Sequence, residues 1–172
     1  MVTLSHTFAS EATVIVNEIS TRPVVEQDKP FIFELFKTTR AWEMSLVDWS
    51  DAQKETFLQQ QFAAQTRQYQ QNYPQGEHSL ILLHGKPTGR IYTAESLYEV
   101  QLLDILLVPE ARNQGIGSHL MAQLKERARQ VNKPLRFYVW QLNHAAQRFY
   151  ERHNCFCIGE TGAYLHMEWN PE

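Results

Sequence analysis

The densest apolar run in the chain, Leu102-Leu103-Asp104-Ile105-Leu106-Leu107-Val108, stops at Pro109, which predicts a buried strand with a sharp end. A period of four then takes over: Ile116, Leu120, Leu124 and Ala128 give residues 116–131 one apolar helical face. Between the two patterns lies Arg112-Asn113-Gln114-Gly115-Ile116-Gly117, a glycine turn that opens the helix. Strict alternation returns in residues 135–140, with Leu135, Phe137 and Val139 on one face and Arg136, Tyr138 and Trp140 on the other.

Weaker patterns fill in the rest. Residues 1–13 read as a loose arm, so the domain is expected over 14–172. Residues 14–25 are rich in β-branched side chains and predict a first strand, with 19–22 at its centre. Asp28 is placed to cap a helix through Phe31, Leu35 and Phe36, followed by a loop or short turn over 42–49. Residues 51–73 predict a long helix with Leu58, Phe62 and Tyr69 near one face, ended by Pro74 and Gly76. A strand at 78–83, a turn at Gly85-Lys86-Pro87 and a partner at 88–96 make a hairpin, and Glu99 starts the long strand. Asn143 caps a further helix carrying Ala146, Phe149, Tyr150 and His153, Asn154 ends it, and a hairpin over 156–169 turns at Gly162. Strands joined by short links pair antiparallel, whereas a helical crossover between the long strand and residues 135–140 suits parallel pairing, so the sheet is mixed.

Composition narrows the function. A chain of 172 residues, 43% apolar, is long enough to bury on the order of 70% of its unfolded surface in one core. A net charge of -3 supplies no broad basic field for nucleic acid. Neither a membrane-spanning run nor a signal peptide is recognisable, which predicts a cytoplasmic protein. Cys155 and Cys157 stand two apart in an expected strand, sharing a face, a poor geometry for a mutual disulfide and one that fits a reducing compartment. His153 with these two thiols in a strand would not converge on a metal, and none is expected.

The glycine turn carries the chemistry. The first turn of a helix leaves N–H groups unpaired at the positive end of the macrodipole, and Gly115 and Gly117 let an anion approach the main chain beside Arg112. An ordinary strand-to-helix turn is the alternative on these residues alone. Trp42, Glu43 and Trp49 lie in a segment that also holds Met44 and Asp48; it could line a pocket for a cation or close one end of a small core.

Taken together, the order of elements and two motifs resemble the GNAT superfamily of acetyl-CoA-dependent N-acetyltransferases. Arg112-Asn113-Gln114-Gly115-Ile116-Gly117 fits that family's [R/Q]-x-x-G-x-[G/A] loop after a strand ending in proline. Asn143-His144-Ala145-Ala146-Gln147-Arg148-Phe149-Tyr150-Glu151 fits its asparagine-to-tyrosine helix. The resemblance implies a single-domain α/β (α+β) fold: a mixed, mostly antiparallel sheet of six to seven strands, about four flanking helices, and two central parallel strands splayed around the cofactor.

It also implies roles. Arg112, Asn113, Gln114, Gly115, Ile116 and Gly117, with Ser118 adjacent, would hold the pyrophosphate of acetyl-CoA, and Ile105, Leu106 and Leu107 would pair with its pantetheine arm. Asn143 would contact the cofactor chain and Tyr150 would approach its sulfur. A phenol, with an ordinary pKa of about 10 against about 8.5 for a thiol, can protonate a departing thiolate. The base is less determined. Histone-acetylating relatives carry a glutamate at what is here Gln101, so Glu99 is the first candidate and Asp104 the second, the latter turned away by alternation unless a bulge resets the phase. After the tyrosine helix the family's Gly-Phe is Asn154-Cys155.

Three functions are in play: an N-acetyltransferase acting on a small-molecule or peptide amine, a catalytically silent acyl-CoA-binding sensor, and a phosphate- or nucleotide-binding protein outside the acyltransferases. Many relatives dimerise through sheet or helix edges, but no pattern in this chain fixes a symmetry.

Overall fold

The structure is a computed structural model and describes residues 18–171. The expected arm over 1–13 and the start of the expected first strand lie outside the described residues. Seven strands form one sheet in the order β1-β2-β3-β4-β5-β7-β6. They are β1 (Ile19–Pro23), β2 (Glu77–Leu83), β3 (Lys86–Glu95), β4 (Val100–Leu107), β5 (Leu135–Trp140), β6 (Phe156–Thr161) and β7 (Tyr164–Trp169). Every neighbouring pair is antiparallel except β4 and β5.

Four α-helices cover the two faces. α1 (Lys29–Ser45) and α2 (Asp51–Asn72) pack on one side, where Ile32, Leu35, Phe36, Leu58 and Leu80 are buried. α3 (Ile116–Val131) and α4 (His144–Arg152) lie on the other, where Ile116, Leu120, Met121 and Tyr150 join Val100, Leu102, Leu135 and Phe137 in the larger core. The predicted alternation in β5 holds: Leu135, Phe137 and Val139 are buried on the α3 side, while Tyr138 and Trp140 are exposed.

Some expectations shift by local chemistry. The hairpin between β2 and β3 turns at His84 and Gly85, both left-handed (φ 51 and 75), and Lys86 and Pro87 already belong to β3. Two consecutive positive φ angles are what a two-residue hairpin of right-handed twist demands. Residues 42–45 are the last turn of α1 rather than a loop, because no proline or glycine interrupts that helix. Asp28 precedes α1 but makes no side-chain cap; it accepts from Arg22 Nη1 and Nη2 at 2.6 and 2.8 Å and from the Val25 N–H at 2.9 Å. A guanidinium draws the carboxylate more strongly than a helix N–H does. Cys155 is buried and Cys157 exposed, so the two thiols do not share one environment.

The feature that organises the sheet is a bulge in β4. Tyr92 of β3 stands opposite Asp104 and Thr93 opposite Leu102, which leaves Leu103 as an extra residue. An extra residue bends its strand and reverses the phase of the side chains after it. Val100 and Leu102 before the bulge, and Ile105 and Leu107 after it, therefore meet the same core. Pairing between β4 and β5 runs only from Val100↔Leu135 to Leu102↔Phe137 and stops where the bulge begins. Beyond it the two parallel strands diverge.

Candidate active site

On the α3 side, the chain leaves β4 through a short turn at Pro109–Ala111 and enters α3 by way of Asn113 (φ 61) and Gly115 (φ 80), both left-handed. This path gives residues 113–118 no backbone acceptors among the described residues, the first helical bond being His119 N–H to Gly115 O at 3.0 Å. Six successive N–H groups are thus uncommitted at the positive end of a helix of 16 residues. Gly117 lies against the ring of Phe149, 3.1 Å from where a Cβ would stand, and this close approach seats the first turn of α3 on α4. Ser118 Oγ and His153 Nε2, 3.0 Å apart, tie the same two helices.

A cavity of about 440 Å³ opens in front of these N–H groups, bordered by Ile105, Leu107, Arg112, Gly115, Phe149 and Tyr150. Of the residues singled out for the cofactor, Asn113, Gly117 and Ser118 also border it. The Ile116 side chain is buried in the core and leaves only its main chain to the cradle. Arg112 donates from Nε to Leu107 O at 3.2 Å, which draws its charge back against β4. Asn143 accepts from Ala146 N–H at 3.1 Å and caps α4 as the sequence predicts.

At the inner end of this cavity stands Tyr150, 7% exposed, with its ring 4.3 Å from that of Phe137 and 5.1 Å from that of Phe149. Its hydroxyl makes no hydrogen bond within the described residues and lies where β4 and β5 part. Burial above all, then the charges of Asp104 and Cys155, push the phenol well above its ordinary range and keep its proton in place.

The opposite face of the same gap opens into a second cavity of about 460 Å³ between α2 and the strands. Tyr69 of α2 and Tyr73, the residue just after that helix, line it together with Tyr138 of β5 and Tyr164 of β7. The floor is polar: Arg136 Nε donates to Glu168 at 2.6 Å and Nη1 to Glu99 at 3.0 Å, and Gln101 donates to Glu99. Glu168 first and Glu99 second hold the guanidinium more firmly charged. Burial pushes Tyr69 up to about 12.

The bulge settles the direction of Asp104. It points to the same side of the sheet as Gln101, where Arg90 donates from Nε and Nη2 at 2.9 and 2.6 Å. Arg90 is itself 3% exposed and also donates to Gln65 of α2 at 3.0 Å. Burial pushes the Asp104 carboxyl up, against the pull of Arg90. Trp42, Glu43 and Trp49 border neither cavity. Trp42 is exposed, Glu43 pairs with Arg40 at 3.0 Å, and Trp49 packs on Phe57 with ring centres 5.3 Å apart.

Arg136, Glu168 and the four tyrosines were not singled out by the sequence patterns. Alternation in β5 does place Arg136 and Tyr138 on one face, but only the packing of α2 and β7 around the gap brings the other side chains to them.

Two cavities on opposite faces of the sheet, one of them beside an amide-lined helix start, flank the place where two parallel strands part, an arrangement that suits an enzyme joining two substrates. The chain belongs to the acetyltransferase (GNAT) family, whose profile matches residues 40–154, and it is an acyltransferase of that family. No curated protein matches the chain in sequence. Among solved structures, the fold is similar to that of PaiA N-acetyltransferase from Thermoplasma acidophilum in complex with coenzyme A. That match has 18% identity, covers 89% of this chain and 99% of the other, and has a TM-score of 0.68. Ard1 from Thermoplasma volcanium is similar over 89% and 97% of the two chains, at 18% identity and a TM-score of 0.60. An acetyltransferase from Thermus thermophilus is similar over 89% and 96%, at 16% identity and a TM-score of 0.62.

Proposed function

We propose that the protein transfers the acetyl group of acetyl-CoA to a primary amine of a small molecule or peptide in the cytoplasm. The observation that carries this reading is the gap between β4 and β5, with the uncommitted N–H groups of residues 113–118 and Tyr150 on one side and a polar cavity on the other. The cradle fits a pyrophosphate: its donors are main-chain, its helix dipole is favourable, and Gly115 adds no side chain. Bound there, the coenzyme supplies an acyl group already activated as a thioester.

The chain's own groups do the rest. The edge of β4 over residues 105–107, which has no partner strand in β5, takes the extended arm of the cofactor. Glu99, the acid that lines the α2-side cavity, accepts a proton from the amine directly or through water as the new N–C bond forms. The C–S bond breaks, and Tyr150 gives its hydroxyl proton to the departing sulfur; Tyr150 then regains a proton from solvent and Glu99 releases the one it took. Amide and free thiol are the products, and the protein returns to its starting state. Asp104 does not line the α2-side cavity and is doubly bonded by Arg90, which suits it to anchoring β3 to β4 more than to meeting an amine.

Thiol release from acetyl-CoA across an amine panel tests the reading, with turnover on at least one amine expected. Coenzyme A that binds while no amine is acetylated overturns it. A silent acyl-CoA sensor draws on one specific observation, that the Glu99 carboxylate already accepts from Arg136 and Gln101. A Tyr150→Phe variant indistinguishable from the parent in every activity assay favours that second reading.

A further inference from the structure

The cavity on the α2 side has a chemistry of its own, and the following rests on the acetyl-transfer reading above. Its single guanidinium among the described lining residues, Arg136, is spent. Nε and Nη2 both lie 2.6 Å from Glu168 Oε2, and Nη1 donates to Glu99 at 3.0 Å. Two carboxylates against one guanidinium leave the floor with one net negative charge. A carboxylate-bearing acceptor such as an amino acid would meet that excess with no free cation to receive it. A polyamine would bring several positive charges to a site that offers one.

The walls are aromatic. Tyr69 comes from α2, Tyr73 from the position just after it, Tyr138 from β5 and Tyr164 from β7. Tyr138 and Tyr164 are 55% and 50% exposed, far more than core packing would leave to rings of that size. Tyr138 is stacked on His166, with ring centres 4.5 Å apart and planes 14° from parallel, which fixes its orientation. Preset rings attract a flat apolar body by burial and stacking, and attract a cation by their negative faces.

We propose that the acceptor is a small monoamine carrying its one positive charge on a flat apolar body, of the phenethylamine kind, and that Tyr73 and Tyr138 select it. The net charge of the floor sets the number of ammonium groups, and the rings set the shape of what they are attached to. Glu99 is then both the counter-charge that draws the ammonium in and the acceptor of its proton.

The test uses the full chain with acetyl-CoA and four acceptors: phenethylamine, butylamine, phenylalanine and spermidine. The expected kcat/KM for phenethylamine exceeds that for butylamine by about tenfold, the size of one good contact between aromatic rings, and exceeds those for phenylalanine and spermidine by at least as much. Tyr138→Ala brings the ratio of phenethylamine to butylamine down to near one, and Tyr138→Phe, which keeps the ring, restores it. Phenylalanine, spermidine or butylamine acetylated as efficiently as phenethylamine overturns the inference and leaves the acetyltransferase reading intact. Calorimetry of phenethylamine on the protein with coenzyme A separates the two claims. Binding that depends on Tyr138, with no acetyl transfer to any amine, sinks the transferase reading alone, whereas the absence of both binding and turnover with phenethylamine overturns the selection proposed here.

Discussion

Tyr150 holds its proton because burial disfavours the phenolate, and that is the state in which an acid must wait for a leaving group. Tyr150→Phe keeps the ring contacts with Phe137 and Phe149 and removes only the proton. Its kcat for thiol release is expected to fall by roughly 10²- to 10³-fold, with calorimetric affinity for coenzyme A close to the parent's. An unchanged kcat would remove Tyr150 from the chemistry. The two cysteines make a second residue-scale contrast. Burial pushes Cys155 up to about 11, while Cys157 is exposed, so a thiol reagent on the native protein should label one cysteine, and both after unfolding. Two equivalents reacting at the same rate in the native state would contradict this burial.

Among the elements, most helices and strands were legible because their periods were clean: α3 and β5 occupy the predicted residues 116–131 and 135–140. The bulge in β4 was not, since a run of six apolar residues among seven reads alike in either phase and only Asp104 marks the difference. The β2–β3 turn was displaced for a related reason: His84 takes a left-handed conformation that Gly85 and Pro87 advertise more loudly in sequence. Two substitutions probe elements rather than side chains. Gly89 sits where β3 crosses closest to β4, and a Cβ there would stand 2.2 Å from Leu106 O. Gly89→Ala should force the strands apart and lower stability by about 2 kcal/mol in urea unfolding. Gly115→Ala, by contrast, meets open space but must hold φ at 80. It should lower stability by about 1 kcal/mol in urea unfolding and weaken coenzyme A binding about tenfold as the helix start relaxes. Equal affinity of parent and variant would separate the cradle from the cofactor.

For the molecule as a whole, the acid side of the stability curve is set by two groups under α1 and α2. His78 lies partly buried against Tyr92, and burial, then Arg90, lowers it from 6.5 to about 4. The unfolded chain therefore binds a proton at this site before the folded one does, and stability falls as pH drops from about 6.5 to about 4. Asp28, held by Arg22 and then the Val25 N–H, is lowered from 3.8 to about 2; its contribution is present above pH 3.8 and is lost as pH falls through about 2. Urea unfolding at a series of pH values should show His78→Phe flattening the first interval and Asp28→Asn the second. A parent curve without slope between pH 6.5 and 4 would contradict the His78 assignment. The run of uncommitted N–H groups at the start of α3 was legible because its donors follow one another in the chain. The α2-side cavity draws on α2, β4, β5 and β7, more than 90 residues apart between Gln68 and His166, and no local pattern reports such a meeting.

Leu103 acts as a frame marker within β4. The half-strand before it and the half-strand after it are written in opposite parity, and the single extra residue makes both halves agree on which face is core. Deleting Leu103 would remove the extra residue and let Asp104 follow Leu102 in regular alternation, so every side chain would keep its face while the bend between the two half-strands would be lost. A deletion elsewhere in the strand, with Leu103 kept, would put the residues beyond it on the wrong face, and an insertion paired with it would cancel the error. The strand could therefore lose its one extra residue without losing its core, and what Leu103 adds is the divergence of β4 from β5.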